Sequence, residues 1–166
     1  VQTCALPICH RQPDLTLVLA NIHDPHNVSA IYRSCDAFGV SQVNLYYTNT
    51  PFPALGRKTS ASARKWVESE RHKNSADLMR TLRGQGFQVL ATSCSETARP
   101  LRAWDFIRPT AVIMGNEHSG VEPELLAAAD GEDQAQKKKN GRVNAGWAMR
   151  HCSACPTRAL LLHCHC

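Results

Sequence analysis

The stretch Leu15-Thr-Leu-Val-Leu-Ala20, then Asn21-Ile-His-Asp-Pro-His-Asn27, then Val28-Ser-Ala-Ile-Tyr-Arg-Ser-Cys-Asp-Ala-Phe-Gly39, decides the fold. The first six residues are almost continuously apolar, as in a strand buried on both faces. The next seven are rich in turn formers. From Val28 the period changes: Val28, Ile31, Cys35 and Phe38 recur at three and four residues, one face of a helix. Asn27 suits the N-cap of that helix and Gly39 its stop. A buried strand running through a short turn into an amphipathic helix is the opening unit of a parallel α/β sheet.

Working outward, Val43, Leu45 and Tyr47 alternate as a second strand. Residues 48–62 read as a loop leading into a short basic helix. Asn74 or Ser75 suits the cap of a further helix, with Leu78, Met79 and Leu82 inward and Gly84 or Gly86 ending it. Phe87 to Thr92 and Thr110 to Met114 read as strands, and Glu122 to Ala129 as the helix that follows. The order β-α-β-α-β-β-α with short connections predicts an α/β fold: an open, mostly parallel sheet with helices on both faces. Ligands of such sheets sit beyond the carboxyl ends of the strands, which singles out loops 21–27, 48–60, 92–99 and 115–120. After Asp130 neither a helical nor a strand period persists, so four or five strands and no closing helix are expected.

With 166 residues, 43% hydrophobic and 20% charged, the chain has the size and balance of one globular domain. No apolar run approaches the roughly 20 residues of a membrane-spanning helix. The first ten residues lack the basic and apolar regions of a signal peptide, and no initiator Met is present. Charge is uneven. Residues 1–130 carry 13 Lys and Arg against 12 Asp and Glu, whereas the last 36 carry six against two. Cysteine follows the same division: Cys4, Cys9, Cys152, Cys155, Cys164 and Cys166 lie in the flanks, leaving only Cys35 and Cys94 between residues 11 and 130. Two isolated thiols suit a reducing, cytoplasmic setting.

Four constellations carry candidate chemistry, each with a plainer reading beside it. Asn27, Ala30 and Arg33 fall on adjacent turns, so Asn27 and Arg33 can both face the mouth of the first strand, or can be a cap and a solvated Arg. Met114-Gly115-Asn116-Glu117-His118-Ser119-Gly120 lies between strand and helix, with glycines that allow close backbone approach. It is neither a P-loop nor a dinucleotide fingerprint. Arg57, Lys58, Arg64, Lys65, Arg71 and Lys73 form a basic patch with Trp66 interleaved, suited to RNA phosphates and bases or to a solvated helix face. Cys152-x-x-Cys155 with His163-Cys164-His165-Cys166 supplies enough ligands for zinc but matches no usual finger spacing, so no metal is expected. His23, His26, His72 and His118 each read as polar loop residues.

Together these pieces resemble the SpoU/TrmH branch of the SPOUT methyltransferases, which methylate a ribose 2′-OH of RNA. Asn21 to Gly39 is similar to the family's first motif and Ala111 to Val121 to its second. Ser62-Ala-Arg-Lys-Trp-Val67 and Ala91-Thr-Ser93 also fit. The likeness covers residues 11–131, and its wording is most similar to enzymes that modify a guanosine of the tRNA D-loop. It implies a knotted α/β fold, a homodimer and S-adenosylmethionine held in the bend of the knot. It further implies that Arg33 is catalytic and Asn27 orients it, that Gly115, Asn116 and Glu117 shape the site, and that Thr92 lies beside the adenosine. Arg stays charged and presents a fork of donors, so it suits a phosphate or alkoxide clamp better than a general base.

The family's third motif, an Ile-Pro-Met run and then Ser-Leu-Asn before a closing helix, should follow Asp130, and nothing in Gly131 to Cys166 matches it. The reading therefore divides the chain into an atypical, non-native leader at 1–10, an incomplete methyltransferase domain at 11–131 and a basic, Cys/His-rich tail at 132–166 read as out of frame. The knot is expected to be incomplete. The function expected is a tRNA 2′-O-ribose methyltransferase using S-adenosylmethionine. The alternatives are a ribosomal RNA 2′-O-methyltransferase and an inactive RNA-binding fragment.

Overall fold

The structure, a computed structural model, describes residues 11–54, 63–95 and 98–134. Strands β1 (Leu15–Ala20), β2 (Gln42–Tyr46), β3 (Glu68–His72), β4 (Gln88–Ser93), β5 (Thr110–Met114) and β6 (Gly131–Gln134) form one sheet in the order β3-β2-β1-β5-β4-β6. Every pairing is parallel. Helices α1 (Pro25–Phe38), α2 (Ala63–Trp66), α3 (Ser75–Gly84) and α4 (Pro123–Ala128) connect them.

The two-residue period of the strands divides the core in two. Leu17 and Leu19 of β1 face Val28, Ile31 and Cys35 of α1, together with Ala63 of α2. Val18 and Ala20 face the other way, onto Leu78, Met79 and Leu82 of α3 and Leu125 of α4. Helices thus cover both faces, and a strand buried on both sides needs the apolar run that 15–20 supplies. Burial keeps the Cys35 thiol protonated, with its pKa pushed up to about 12, while Cys94 is exposed.

Two edge strands lie where the sequence predicts none. The short basic helix expected after the 48–62 loop is a single turn, Ala63–Trp66, followed by β3. Glu68, Ser69, Glu70 and Arg71 are all exposed, so β3 has no apolar alternation to detect; its ladder to β2 and the 2.7 Å bond between Tyr32 Oη and Ser69 Oγ hold it. At the opposite edge β6 pairs with β4 using Gly-Glu-Asp-Gln. Charged residues on both edges discourage pairing with another chain. Trp66 is 39% exposed beside the basic residues.

Helix α1 also starts earlier than expected. Asp24, not Asn27, is its N-cap, with Oδ1 accepting from His26 N at 2.8 Å. Pro25 occupies the first turn, where its missing N–H costs nothing. Gly39 (φ 73°) ends the helix as predicted, and the Asn74 side chain caps α3. Among the described residues no helix is long and apolar enough to cross a membrane.

Candidate active site at the β1–β5 crevice

The strand order turns outward in opposite directions from β1 and β5, which lie side by side with Leu19 level with Met114. Helix α1 leaves β1 on one face and α4 follows β5 on the other. This is the topological switch point of an open α/β sheet, where a crevice opens beyond the carboxyl ends. The two motif loops meet there.

Glu117 makes the junction. Its carboxylate accepts from Asn27 Nδ2 at 2.8 Å, from His23 N at 3.1 Å and from Asp24 N at 3.3 Å. Two of these donors lie just ahead of α1, where a negative charge also favours the helix dipole. Asn27 is free to reach Glu117 because Asp24 caps the helix instead. Beside them, Asn116 Nδ2 donates to the Asn21 carbonyl at 2.6 Å, and Asn116 Oδ1 accepts from His118 N at 2.8 Å. Asn116 and Gly120 exchange backbone hydrogen bonds, both 2.9 Å, folding the loop back on itself. Gly115 permits this closure: a Cβ there would fall on the Gly120 carbonyl carbon and the Val121 nitrogen.

A second lock sits behind the first. Asn21 adopts φ 50°, a left-handed conformation that Asn tolerates better than most residues. Its Oδ1 accepts from Thr48 N at 3.0 Å and Asn49 N at 3.2 Å. Its Nδ2 donates to Glu122 Oε1 at 2.8 Å, and Glu122 also accepts from Asn49 Nδ2 and Tyr46 Oη. Burial and the neighbouring Glu122 raise the Tyr46 pKa. Tyr47 donates its hydroxyl to the Ile22 carbonyl at 3.2 Å. Three loops, after β1, β2 and β5, are therefore tied together.

Ile22, Asn27, Ile31, Thr92, Met114, Gly115 and Glu117 line a small pocket of about 20 Å³. Of the residues singled out from the sequence, Asn27, Thr92, Gly115 and Glu117 converge here, with Asn116 shaping the loop. The Thr92 hydroxyl donates to the Ile113 carbonyl at 3.0 Å. Arg33 is exposed on α1 and does not line the pocket. Arg64, Lys65, Arg71 and Lys73 are exposed along α2 and the β3 edge. Arg57, Lys58, the zinc-like cluster and, beyond β6, the rest of the segment expected to hold the third motif lie outside the described residues.

His23, His26 and His118 are exposed loop or helix-start residues, but His72 ends β3 and is only 4% exposed. Its Nε2 lies 2.9 Å from Asn44 Oδ1. Asn21 and Glu122 were not singled out. The signal for Asn21 is a polar residue directly after an apolar strand; Glu122 has none, since an acid at a helix start is expected anyway. Among the described residues no group of three or more His, Cys, Asp or Glu could hold a metal.

The model of the SpoU rRNA methylase family matches residues 14–136. The chain belongs to that family. It is 45% identical over 121 residues to the tRNA (guanosine(18)-2′-O)-methyltransferase of Thermus thermophilus, covering 73% of this chain and 62% of the relative. It is 40% identical over 123 residues to the enzyme of the same name from Escherichia coli K12, covering 74% and 53%. The A. aeolicus TrmH/SpoU tRNA modifying enzyme superposes with a TM-score of 0.74 at 31% identity, covering 84% of this chain and 71% of that one. The chain thus spans between about half and two thirds of the curated relatives' length. The SpoU-family fold accounts for the parallel sheet and for the two motifs flanking its switch point.

Proposed function

We propose that this SpoU-family chain is an RNA 2′-O-ribose methyltransferase that uses S-adenosylmethionine and acts on tRNA. The observation that carries the reading is the convergence of Asn27, Thr92, Gly115 and Glu117 at the β1–β5 crevice, from motifs about 90 residues apart. The names of the relatives at 40% and 45% identity support tRNA as the substrate. The same likeness supports a homodimer, and the free Cys35 and Cys94 suit work in the cytoplasm.

The wall chemistry fits the cofactor. Ile22, Ile31 and Met114 offer apolar surface to an adenine, and the Thr92 hydroxyl and the Gly115 backbone offer polar partners at the rim. The pocket itself measures about 20 Å³, so in this proposal its residues form one wall of a larger cofactor site. Bound there, S-adenosylmethionine supplies an electrophilic sulfonium methyl. This chain's residues then act by position and charge. Glu117 fixes Asn27, whose Oδ1 has no partner among the described residues and is available to accept from the ribose hydroxyl. Arg33, exposed and permanently charged, clamps the RNA phosphate or the developing alkoxide.

Calorimetric titration with S-adenosylmethionine, followed by transfer of labelled methyl to tRNA, tests the reading. Micromolar cofactor binding and label in a ribose of tRNA are expected. A second reading, RNA binding without methyl transfer, draws on the small volume of the pocket, about 20 Å³. RNA binding with no heat from the cofactor would establish it in place of the first.

A further inference from the structure

A second cavity, about 510 Å³, lies away from the crevice, beside the carboxyl ends of β2 and β3. That volume is in the range of small-ligand sites. Tyr47, Thr50, Phe52, Arg71, His72 and Lys73 are among the residues lining it. The Phe52 ring meets the Tyr47 ring edge-on at 5.1 Å, and the guanidinium carbons of Arg71 and Arg64 stand 5.4 and 5.9 Å from its centroid. Neither Arg71 nor Lys73 pairs with an acid among the described residues. The lining residue His72 is held from behind: Asn44 Nδ2 donates to Thr16 Oγ1 at 3.0 Å, leaving Oδ1 to accept from His72 Nε2. Tyr47 joins this cavity to the crevice, since its hydroxyl donates to the Ile22 carbonyl in the loop whose next residues, His23 and Asp24, bind Glu117.

We infer that this cavity seats one unpaired nucleotide of the RNA, its base stacked on Phe52 and its phosphate on Arg71 and Lys73. The identity of the ligand rests on the methyltransferase reading. The chemistry narrows it further. An aromatic ring flanked by guanidinium planes suits a flat base, which can stack on both. A free phosphate would leave the Tyr47 and Phe52 walls unused, and an acidic peptide would have no planar group to insert between ring and guanidinium. Because paired bases cannot reach such a ring, the cavity selects loops over duplex.

The test uses the full chain without cofactor, so its result stands apart from whether methyl transfer occurs. Anisotropy titrations compare a labelled RNA stem-loop with a blunt duplex of the same stem. Phe52→Ala is expected to weaken stem-loop binding about tenfold, the loss of one stacked base, and to leave duplex binding unchanged. Phe52→Leu, which keeps the packing but not the ring, should behave alike, and Phe52→Tyr should restore binding. Replacing Arg71 and Lys73 together by Gln should lower the slope of log affinity against log salt by about 0.7 for each phosphate contact removed. Wild-type stem-loop affinity in Phe52→Leu, equal weakening toward both RNAs, or an unchanged salt slope overturns the inference. Displacement of the stem-loop by a poly-glutamate peptide as readily as by unlabelled RNA would assign the cavity to acidic protein instead.

Discussion

Asn27 Nδ2 stands 2.8 Å from Glu117 Oε1, although 90 residues separate them in the chain. The same carboxylate holds the backbone N–H groups of His23 and Asp24. Three donors converge on its two oxygens, so Glu117 fastens the β5 loop to the start of α1. Glu117→Gln keeps the volume but turns one oxygen into a donor, which then opposes another donor. A stability loss of about 1–3 kcal/mol is expected, the cost of leaving a partly buried polar group unpaired. The urea midpoint should fall with the slope unchanged. An unshifted midpoint would remove Glu117 from this role.

Gly115→Ala addresses the loop itself. The added Cβ meets backbone atoms of Gly120 and Val121, which cannot swing aside as a side chain would. Relieving the overlap breaks the Asn116–Gly120 pair and shifts Asn116 away from the Asn21 carbonyl. Overpacking of this kind costs about 1–3 kcal/mol. Cofactor affinity should fall as well, because Gly115 lines the pocket. A Gly115→Ala chain that melts and binds like the parent would show that the loop relaxes freely.

What could be read in advance follows from where the apolar side chains are. β1, β4 and β5 are buried on both faces, so burial dictated their composition and the runs at 15–20, 87–92 and 110–114 were legible. β3 and β6 are edge strands held by backbone ladders, and Glu68-Ser-Glu-Arg and Glu132-Asp carry no such imprint. At the site, Asn27, Gly115 and Glu117 stood out because polar or glycine residues follow buried strands or open a helix, whereas Thr92, inside β4, stood out only through the family resemblance. The role of Asn27 was harder to see, since Asn is a common N-cap. Only the structure shows that Asp24 takes the capping position, through its bond from His26 N, and leaves Asn27 to Glu117. The Asn21–Glu122 lock joins residues 101 apart, and nothing local marks such a pair.

Arg33 offers a separation of fold from function. It is exposed and lines neither cavity. Arg33→Ala should therefore change stability by no more than about 0.5 kcal/mol, as for surface positions generally. If Arg33 clamps the reacting RNA, the same variant should lose methyl transfer while its calorimetric affinity for S-adenosylmethionine stays near the parent value. Full transfer activity in Arg33→Ala would end its catalytic assignment.

Tyr32, Tyr46 and Tyr47 are the only tyrosines of the chain, and all three have pKa values raised above 10.0. Burial is the largest cause in each case. For Tyr47 the shift is large, with Tyr32 and Glu117 adding to it. A raised folded pKa means that the unfolded chain releases these protons first, near pH 10. The stabilisation is thus fully present below pH 10 and is lost as the pH climbs from there through the folded values. Tyrosinate absorbance of the folded protein at pH 10 should be below the denatured value, and the urea midpoint should decline above that pH. Tyr47→Phe should reduce the decline, since it removes the most strongly shifted group, at the cost of the bond to the Ile22 carbonyl. Half-ionised tyrosines at pH 10 in the folded state would show that the hydroxyls tying the β2 loop to the β1–β5 crevice are open to water.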